Sequence, residues 1–490
     1  MPEATLARQL AGFAAATAYG NLPPDVIDSV RKRVLDCLGI CIAATPLETS
    51  RAAMAWVVAQ GGTGQSTAIG IPEPVSAPHA AFVNGVLAHS LDYDDTHLPS
   101  VLHPSASVIP AALAAAQASG ADGRSTIAAI AVGLEVCVRL GMAGYDRAAR
   151  TSTFFEHGQH ATSICGALGA AVAAGMLLGL DADALADVLG VAASMGSGII
   201  ESNRTGGTVK RMHCGWAAQS GVSAAQLVAL GFTGPPTVLE GRFGFFQAWL
   251  HGHFNPDELT QGLGTQWAVP GIFFKPYPAN HFTHAAIDAA LALRAQGLRP
   301  EDVESITVGV ATSTVRTVGE PIEVKRAPTT GYMAQFSAPF VVAAALIGGR
   351  GLGLGLDDFT DATATEPAHR ALMGKVSVAA DAECDEIFPQ QFPAVLRVRT
   401  TDGRDLVERV LSNRGGPQRP LSFEELGTKF RDNASRVLDA DSVDRVRHGV
   451  ARLEDLGDLT ALLEPLGHLP PAARAPQPDA THKNTEDIDA

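Results

Sequence analysis

A mainly helical fold with one smaller α+β region is what this sequence predicts, and three observations predict it. Apolar residues recur at helical spacing through the first 266 positions, strand-like alternation is confined to about 267–411, and helical spacing returns from 412 to 465. A chain of 490 residues with 46% hydrophobic content can also bury a large core, more readily as two domains than as one.

Taken in order, the N-terminal stretch carries Glu3 and no basic region before a leucine-rich core, so it reads as a first helix and not as a signal peptide. Pro23 and Pro24 open a helix bearing Val26, Ile27, Val30, Val34 and Leu38, which Thr45-Pro46 ends. A STAIGI run from Ser66 reads as a minor strand or extended loop. Ala80, Phe82, Val83, Val86 and Leu87 place a helix ending near Leu91, and Pro104 opens another through SASVIPAALAAAQA. Residues 123–142 and 158–200 continue as Ala-rich and Gly-rich helices in a bundle or layered helical domain. Ser163 to Leu180 is an uncharged stretch at the length of a membrane span, but its four glycines favour a close-packed core helix.

Past 267, FFKPYPANHFTHAAIDAALALRAQG gives a proline-punctuated entry and a helix, and ESITVGVATSTV reads as a strand. Residues 330–347 read as a helix, KVSVAAD as a strand, and AVLRVRTTDGRDLVERVL as a hairpin turning at Asp402-Gly403. GGRGLGLG, from Gly348, lacks GxGxxG spacing and a preceding strand, so it is a loop and not a dinucleotide site. Ser422 caps a later helix, and 468–490, Pro-rich and polar, reads as a disordered tail.

Chemistry concentrates in NGVLAHSLDYDDTHLPSVLHP, Asn84 to Pro104. Asp92, Asp94, Asp95, His89, His97, His103, Tyr93 and Thr96 crowd together in a chain only 18% charged. His103 falls at the start of the helix opened by Pro104, where free backbone N–H groups and the helix dipole favour an anion. Acids, imidazoles and an anion cradle suit proton transfer on a small negatively charged molecule. A solvated acidic loop is the plainer reading, but Leu91 and Tyr93 among the acids favour partial burial. His89, Asp92 and His97 could instead hold a metal, yet no HExxH, cysteine cluster or EF-hand spacing supports one, so no metal or cofactor is expected.

A second stretch, ESNRTGGTVKRMHCGWAA, sets Gly206-Gly207 before a helix that Thr208 can cap, with Val209, Lys210 and Arg211 in its first turn. Lys210 and His213 share a face and suit a carboxylate, while an exposed basic turn is the alternative. In FFEHGQHATSICG, His157 and His160 precede a helix. The net charge of −15, from 36 Lys and Arg against 51 Asp and Glu, argues against nucleic acid or an anionic membrane surface as partner. The six scattered cysteines form no CxxC, which argues against zinc ribbons, iron–sulfur clusters and a regular disulfide framework, and they are expected reduced and buried. No GxSxG elbow is present, which disfavours serine hydrolysis.

LDYDDT with HPSASVIPAALA, GTVKRMHCGWAAQSG, and FKPYPANHFTHAAIDAA stand in the order and spacing of three signature blocks, and over about residues 5–465 the chain resembles the MmgE/PrpD family. That family includes 2-methylcitrate dehydratase, cis-aconitate decarboxylase and iminodisuccinate epimerase. The resemblance implies a helical domain built from 1–266 and 412–467, an α+β lid inserted at 267–411, and a pocket between them. It also implies a cytoplasmic homodimer acting on a small di- or tricarboxylate. Asp92, His103, Lys210 and His284 match catalytic positions, Thr96 and His160 match pocket positions, and Lys275, Tyr277 and His213 are candidate substrate contacts; His281 is placed less securely.

The family's reactions share a carbanion-like centre beside a carboxylate, which needs a proton-transfer group and cationic or hydrogen-bonding partners. The expectation is that His103 transfers the proton, Asp92 supports an imidazole or handles a departing hydroxyl, and Thr96, Lys210 and His284 hold carboxylates, with His284 the acid in an alternative assignment. Dehydration of a 2-methylcitrate-like hydroxyacid is the first expectation, with decarboxylation or epimerisation as alternatives. Decarboxylation is harder to support, because the resemblance implies a lid tyrosine after the strand ending near Thr312. Val318 stands there, and the nearest tyrosine, Tyr332, is in the next helix. A non-catalytic binding protein and a metal-dependent hydrolase using His89, Asp92 and His97 are the readings from other classes.

Overall fold

Proline and small residues decide where the helices of this protein start and how closely they pack. The computed structural model describes residues 4–202 and 207–469. Helix α1 (Pro24–Ala44) begins with Pro24 at its first position and stops at Thr45. Next come α2 (Ala77–His89), α3 (Ser105–Ser119), α4 (Gly123–Ala143), α5 (Ala161–Leu177) and α6 (Lys210–Ala229). Helices α2 and α6 meet at paired glycines: a Cβ on Gly85 would lie 2.7 Å from Cα of Gly215. Only glycine permits that approach, and it sets the C-terminal end of α2 beside the N-terminal end of α6. The two richest regions of the sequence are thereby brought together.

Two boundaries differ from the sequence reading. Helix α6 starts at Lys210 with Val209 before it and no side-chain cap, so Thr208 does not cap it, and Gly206 lies outside the described residues. Strand β1 stops at Val310, and the β-branched residues after it form a helix over Thr312–Gly319, because Thr312 finds both an N–H and a hydroxyl partner in Asp385. The uncharged stretch from Ser163 falls mostly on α5, which is buried. Helix α4 is long and apolar enough to cross a membrane, but 94% of its apolar window is buried inside the protein. The tail from 470 onward lies outside the described residues.

The small mixed sheet takes its strands from β1 (Val303–Val310), β2 (Val376–Ala380), β3 (Ala394–Thr400) and β4 (Asp405–Val410), in the order β2-β1-β3-β4. Strands β1 and β2 are parallel and the other pairs antiparallel. The β3-β4 hairpin turns at Gly403, whose φ of 89° suits glycine. Helices α7 (His284–Ala295) and α8 (Ala338–Ile347) pack against this sheet. The helix read over 330–347 is broken: Gly331–Ala334 is a separate turn, and Ser337 caps α8 through the Phe340 N–H.

One apolar core gathers residues from Ala7 to Phe274 and again from Leu421 to Leu466, while a second gathers Tyr277 to Val410. Helix α9 (Phe423–Ala434), entered through a Ser422/Glu425 capping box, packs against α1 in the first core.

Candidate active site

The loop after α2 is organised by cations from three different segments. Asp92 sits in the left-handed region (φ 51°), which aspartate tolerates better than most residues. Its Oδ1 lies 3.5 Å from Lys210 Nζ, at the start of α6, and 3.4 Å from Lys275 Nζ. Lys275, only 2% exposed, also donates to the Asp92 carbonyl at 2.8 Å. Burial would raise the Asp92 carboxyl, but Lys275 and Lys210 outweigh it and hold the group well below the usual carboxylate range. Burial likewise opposes the Lys210 charge, and Asp92 and Asp94 overcome it. One carboxylate between two ammonium groups leaves an unbalanced positive charge in a shielded place.

His103 is fixed in one tautomer. Its Nδ1 lies 2.7 Å from the Asp95 carbonyl, which can only accept, so Nδ1 carries the hydrogen and Nε2 presents a lone pair. Thr96 Oγ1 stands 3.4 Å from the same Nδ1, and the His103 backbone N–H donates to Thr162 Oγ1 at 3.2 Å. Thr96 is itself held by paired backbone hydrogen bonds with Phe273, each 2.8 Å. Burial pushes His103 down to about 3; Asp94 pulls the other way, and Lys275 and His89 add to the lowering. His103 is therefore a neutral base at physiological pH.

The three neighbouring acids divide their roles in a way the sequence does not show. Asp94, not Asp92, supports an imidazole: it accepts from His89 Nδ1 at 2.7 Å, both side chains buried. Burial would lower His89, but Asp94 foremost carries it up to about 10, so the pair is imidazolium and carboxylate. Asp95 bonds Arg33 at 2.6 Å and takes both the backbone N–H and the hydroxyl of Ser105. The anion cradle expected at the start of α3 is thus filled by the protein's own Asp95, and a substrate carboxylate must bind elsewhere.

The remaining candidates fall into two groups. His160 and His213 share a proton across 2.8 Å between their Nδ1 atoms, in a row of rings that reaches His89 and then His103. His213 therefore faces His160, and Lys210 alone turns toward Asp92. Tyr277 is fully buried, and its hydroxyl is committed to Asp288 at 2.6 Å, so it is not free for the carboxylate contact expected of it. Its ring packs edge-on against His284, whose Nε2–H donates to the Ala279 carbonyl at 3.0 Å. Burial, then Lys275, pushes His284 down to about 3.

Two residues that sequence reasoning underweighted belong here. His281 stacks 4.5 Å from His284, is 5% exposed, and neither ring nitrogen has a partner among the described residues. Such an orphaned buried imidazole awaits a ligand or solvent; its signal was the spacing of three from His284. Lys429, from α9, is 1% exposed, pairs with Asp36 at 2.7 Å, and donates to the carbonyls of Tyr93 (3.0 Å) and Lys275 (2.8 Å). It pins the two backbone segments that carry Asp92 and Lys275. Its signal was a lysine between Leu426 and Phe430 on the apolar stripe of α9.

His89, Asp92 and His97 do not converge on a metal: His89 faces Asp94, Asp92 faces two lysines, and His97 bonds Ser100 at 2.6 Å. Among the described residues no group of three or more His, Cys, Asp or Glu is placed to hold an ion. A cleft of about 120 Å³ opens beside Asp92, between the first core and residues Gly331 to Gln335 of the second.

Comparison with known proteins gives the arrangement a lineage. Residues 8–257 match the MmgE/PrpD N-terminal domain and residues 277–455 the MmgE/PrpD C-terminal domain. The cis-aconitate decarboxylase of Homo sapiens is 31% identical over 491 residues, covering 95% of each chain. Its counterpart in Mus musculus is 29% identical over 475 residues, covering 94% of this chain and 92% of that one. A cis-aconitate decarboxylase of Aspergillus terreus is 26% identical over 475 residues, covering 93% of this chain and 94% of that one. With both of its domain models matched in order along nearly the whole chain, this protein belongs to the MmgE/PrpD family.

Proposed function

We propose that this protein is a lyase that removes carbon dioxide from a small unsaturated tricarboxylate of the cis-aconitate type, using acid/base chemistry of its own side chains. The observation that carries the reading is the Asp92 cluster: a buried surplus of positive charge beside a neutral imidazole with a bare Nε2. The relatives named above favour decarboxylation over the dehydration expected first. Tyr332 softens the earlier objection, since it lines the cleft opposite Asp92 although Val318 is buried in its own helix.

The chemistry is balanced as follows. The C–C bond to one carboxylate breaks and carbon dioxide leaves; its electron pair moves through the adjoining double bond, and the far carbon takes one proton. The trianion becomes a dianion, so one proton is consumed per turnover. Lys210 and Lys275 stabilise the negative charge that develops on the remaining carboxylates. His103 is the proton carrier: burial foremost, with Lys275 and His89, holds its pKa near 3, and a bound polyanion counters that lowering and lets Nε2 take a proton for delivery. The second core region would act as a lid over this site.

Dehydration is the second reading, favoured by one observation: the resting His103 is an acceptor, which suits proton abstraction from a hydroxyacid. Proton NMR in deuterated water separates the two. With cis-aconitate, the proposal gives a methylene alkene carrying one deuterium. Turnover of 2-methylcitrate to an alkene by loss of water, with cis-aconitate untouched, would establish dehydration instead.

A further inference from the structure

The cleft beside Asp92 has a wall that the proton-transfer cluster does not use. Arg211, one residue past Lys210, lines it together with Ser90, Tyr332 and Gln335. Among the described residues Arg211 forms no ion pair, and its one side-chain hydrogen bond runs from Nη1 to Thr49 Oγ1 at 3.3 Å. Tyr332 and Gln335 come from the opposite side of the cleft, and no side-chain hydrogen bond engages either among the described residues. An arginine fork, a phenol and an amide thus converge on one space.

Charge accounting says what that space takes. Each other buried acid near the loop has its own cation: Asp94 has His89, Asp95 has Arg33, and Asp36 has Lys429. Asp92 alone has two, Lys210 and Lys275, and Arg211 has no acid partner among the described residues. Among the described residues two positive charges are thus left uncompensated, Arg211 in the cleft wall and one of the two lysines on Asp92, which lines the same cleft, in a protein whose net charge is −15. A buried cation such as Lys275 is costly without a full counter-ion unless a ligand supplies one, and the half-buried Arg211 in the cleft wall can take a second anion. Two charges call for two carboxylates.

We propose that Arg211, with Tyr332 and Gln335, seats a second carboxylate of the substrate, remote from the one held by Lys210 and Lys275, and so selects di- and tricarboxylates over monocarboxylates. This rests on the site assigned under the proposed function and names its specificity. The guanidinium fork can grip a carboxylate through two parallel hydrogen bonds, which a lysine cannot reproduce. Tyr332 and Gln335 close the subsite from the far side.

Calorimetric titration tests this with tricarballylate, a saturated tricarboxylate with neither double bond nor hydroxyl, against butyrate as a single carboxylate. The expected result is that Arg211→Gln weakens tricarballylate by about tenfold or more, the loss of a charge-assisted hydrogen bond, and leaves butyrate unchanged. Arg211→Lys should recover part of the loss, and Tyr332→Phe should lose less than Arg211→Gln. Unaltered tricarballylate affinity in a folded Arg211→Gln protein overturns the proposal. So does equal weakening of both probes, or a wild type that binds neither. Turnover of cis-aconitate, measured separately, distinguishes the two claims: turnover with an Arg211-independent KM removes the subsite alone, whereas Arg211-dependent binding without turnover removes the decarboxylase reading alone.

Discussion

His103 owes its chemistry to a carbonyl oxygen. Because the Asp95 carbonyl can only accept, the ring hydrogen stays on Nδ1, and the lone pair on Nε2 has no hydrogen-bond partner among the described residues. Cis-aconitate binding should therefore draw protons from solution at neutral pH, as the anion raises His103 from about 3. Titration calorimetry in buffers of different ionisation enthalpy should show net uptake; buffer-independent heats would contradict it. His89 makes a separate claim on stability. Its pKa is raised to about 10 by Asp94, so its contribution is fully present below its ordinary value of 6.5 and is lost as pH rises through about 10. The Asp94 carboxyl is lowered, so its share is lost only in strong acid. Unfolding free energy should fall between pH 7 and 10 by up to about 1.4 kcal/mol per pH unit, and His89→Gln should flatten that slope in denaturant titrations. The crowding of acids and imidazoles between His89 and His103 was legible in the sequence. Which acid serves which partner was not, because an irregular loop has no period, and the left-handed turn at Asp92 decides where each carboxylate points.

At the scale of elements, punctuation was easier to read than partnership. Pro24, the Ser422/Glu425 box and the Asp402-Gly403 turn mark their elements as the sequence suggests. The residues after Val310 mislead, since β-branched alternation there is overridden by the helix cap that Asp385 supplies from a distant segment. Gly85 and Gly215 could be seen as small residues but not as a pair, for their meeting depends on two helices far apart in sequence. Lys429 is the same case in α9: its partner Asp36 lies in α1, near the other end of the chain. Replacing it with methionine leaves Asp36 buried without a cation and frees the backbones of Tyr93 and Lys275. Lys429→Met should cost about 3–5 kcal/mol in chemical denaturation. Asp36→Asn in the same chain should restore much of that stability while leaving kcat/KM low, because the carbonyls that position Asp92 and Lys275 still lack their donor. Full recovery of both would reduce Lys429 to a purely structural ion pair.

Over the whole molecule, two apolar cores meet at a cleft that holds Arg211 and Asp92, with Lys210 and Lys275 both on that one carboxylate, in a chain that is otherwise acidic. That contrast gives the fold its chemical direction: a polyanion is repelled by most of the surface and balanced at one place. Composition revealed the acidic total, but only the folded arrangement shows Arg211 lining the same cleft as Asp92, the carboxylate that Lys210 and Lys275 share. The central claim is that His103 moves the proton in a decarboxylation supported by that charge. Steady-state kinetics of carbon dioxide release from cis-aconitate, compared between wild type and His103→Gln, tests it most directly. The account expects kcat/KM to fall by about 10²–10⁴ with the thermal midpoint little changed. A folded His103→Gln protein within a few-fold of wild type, or a wild type that releases no carbon dioxide, would contradict it.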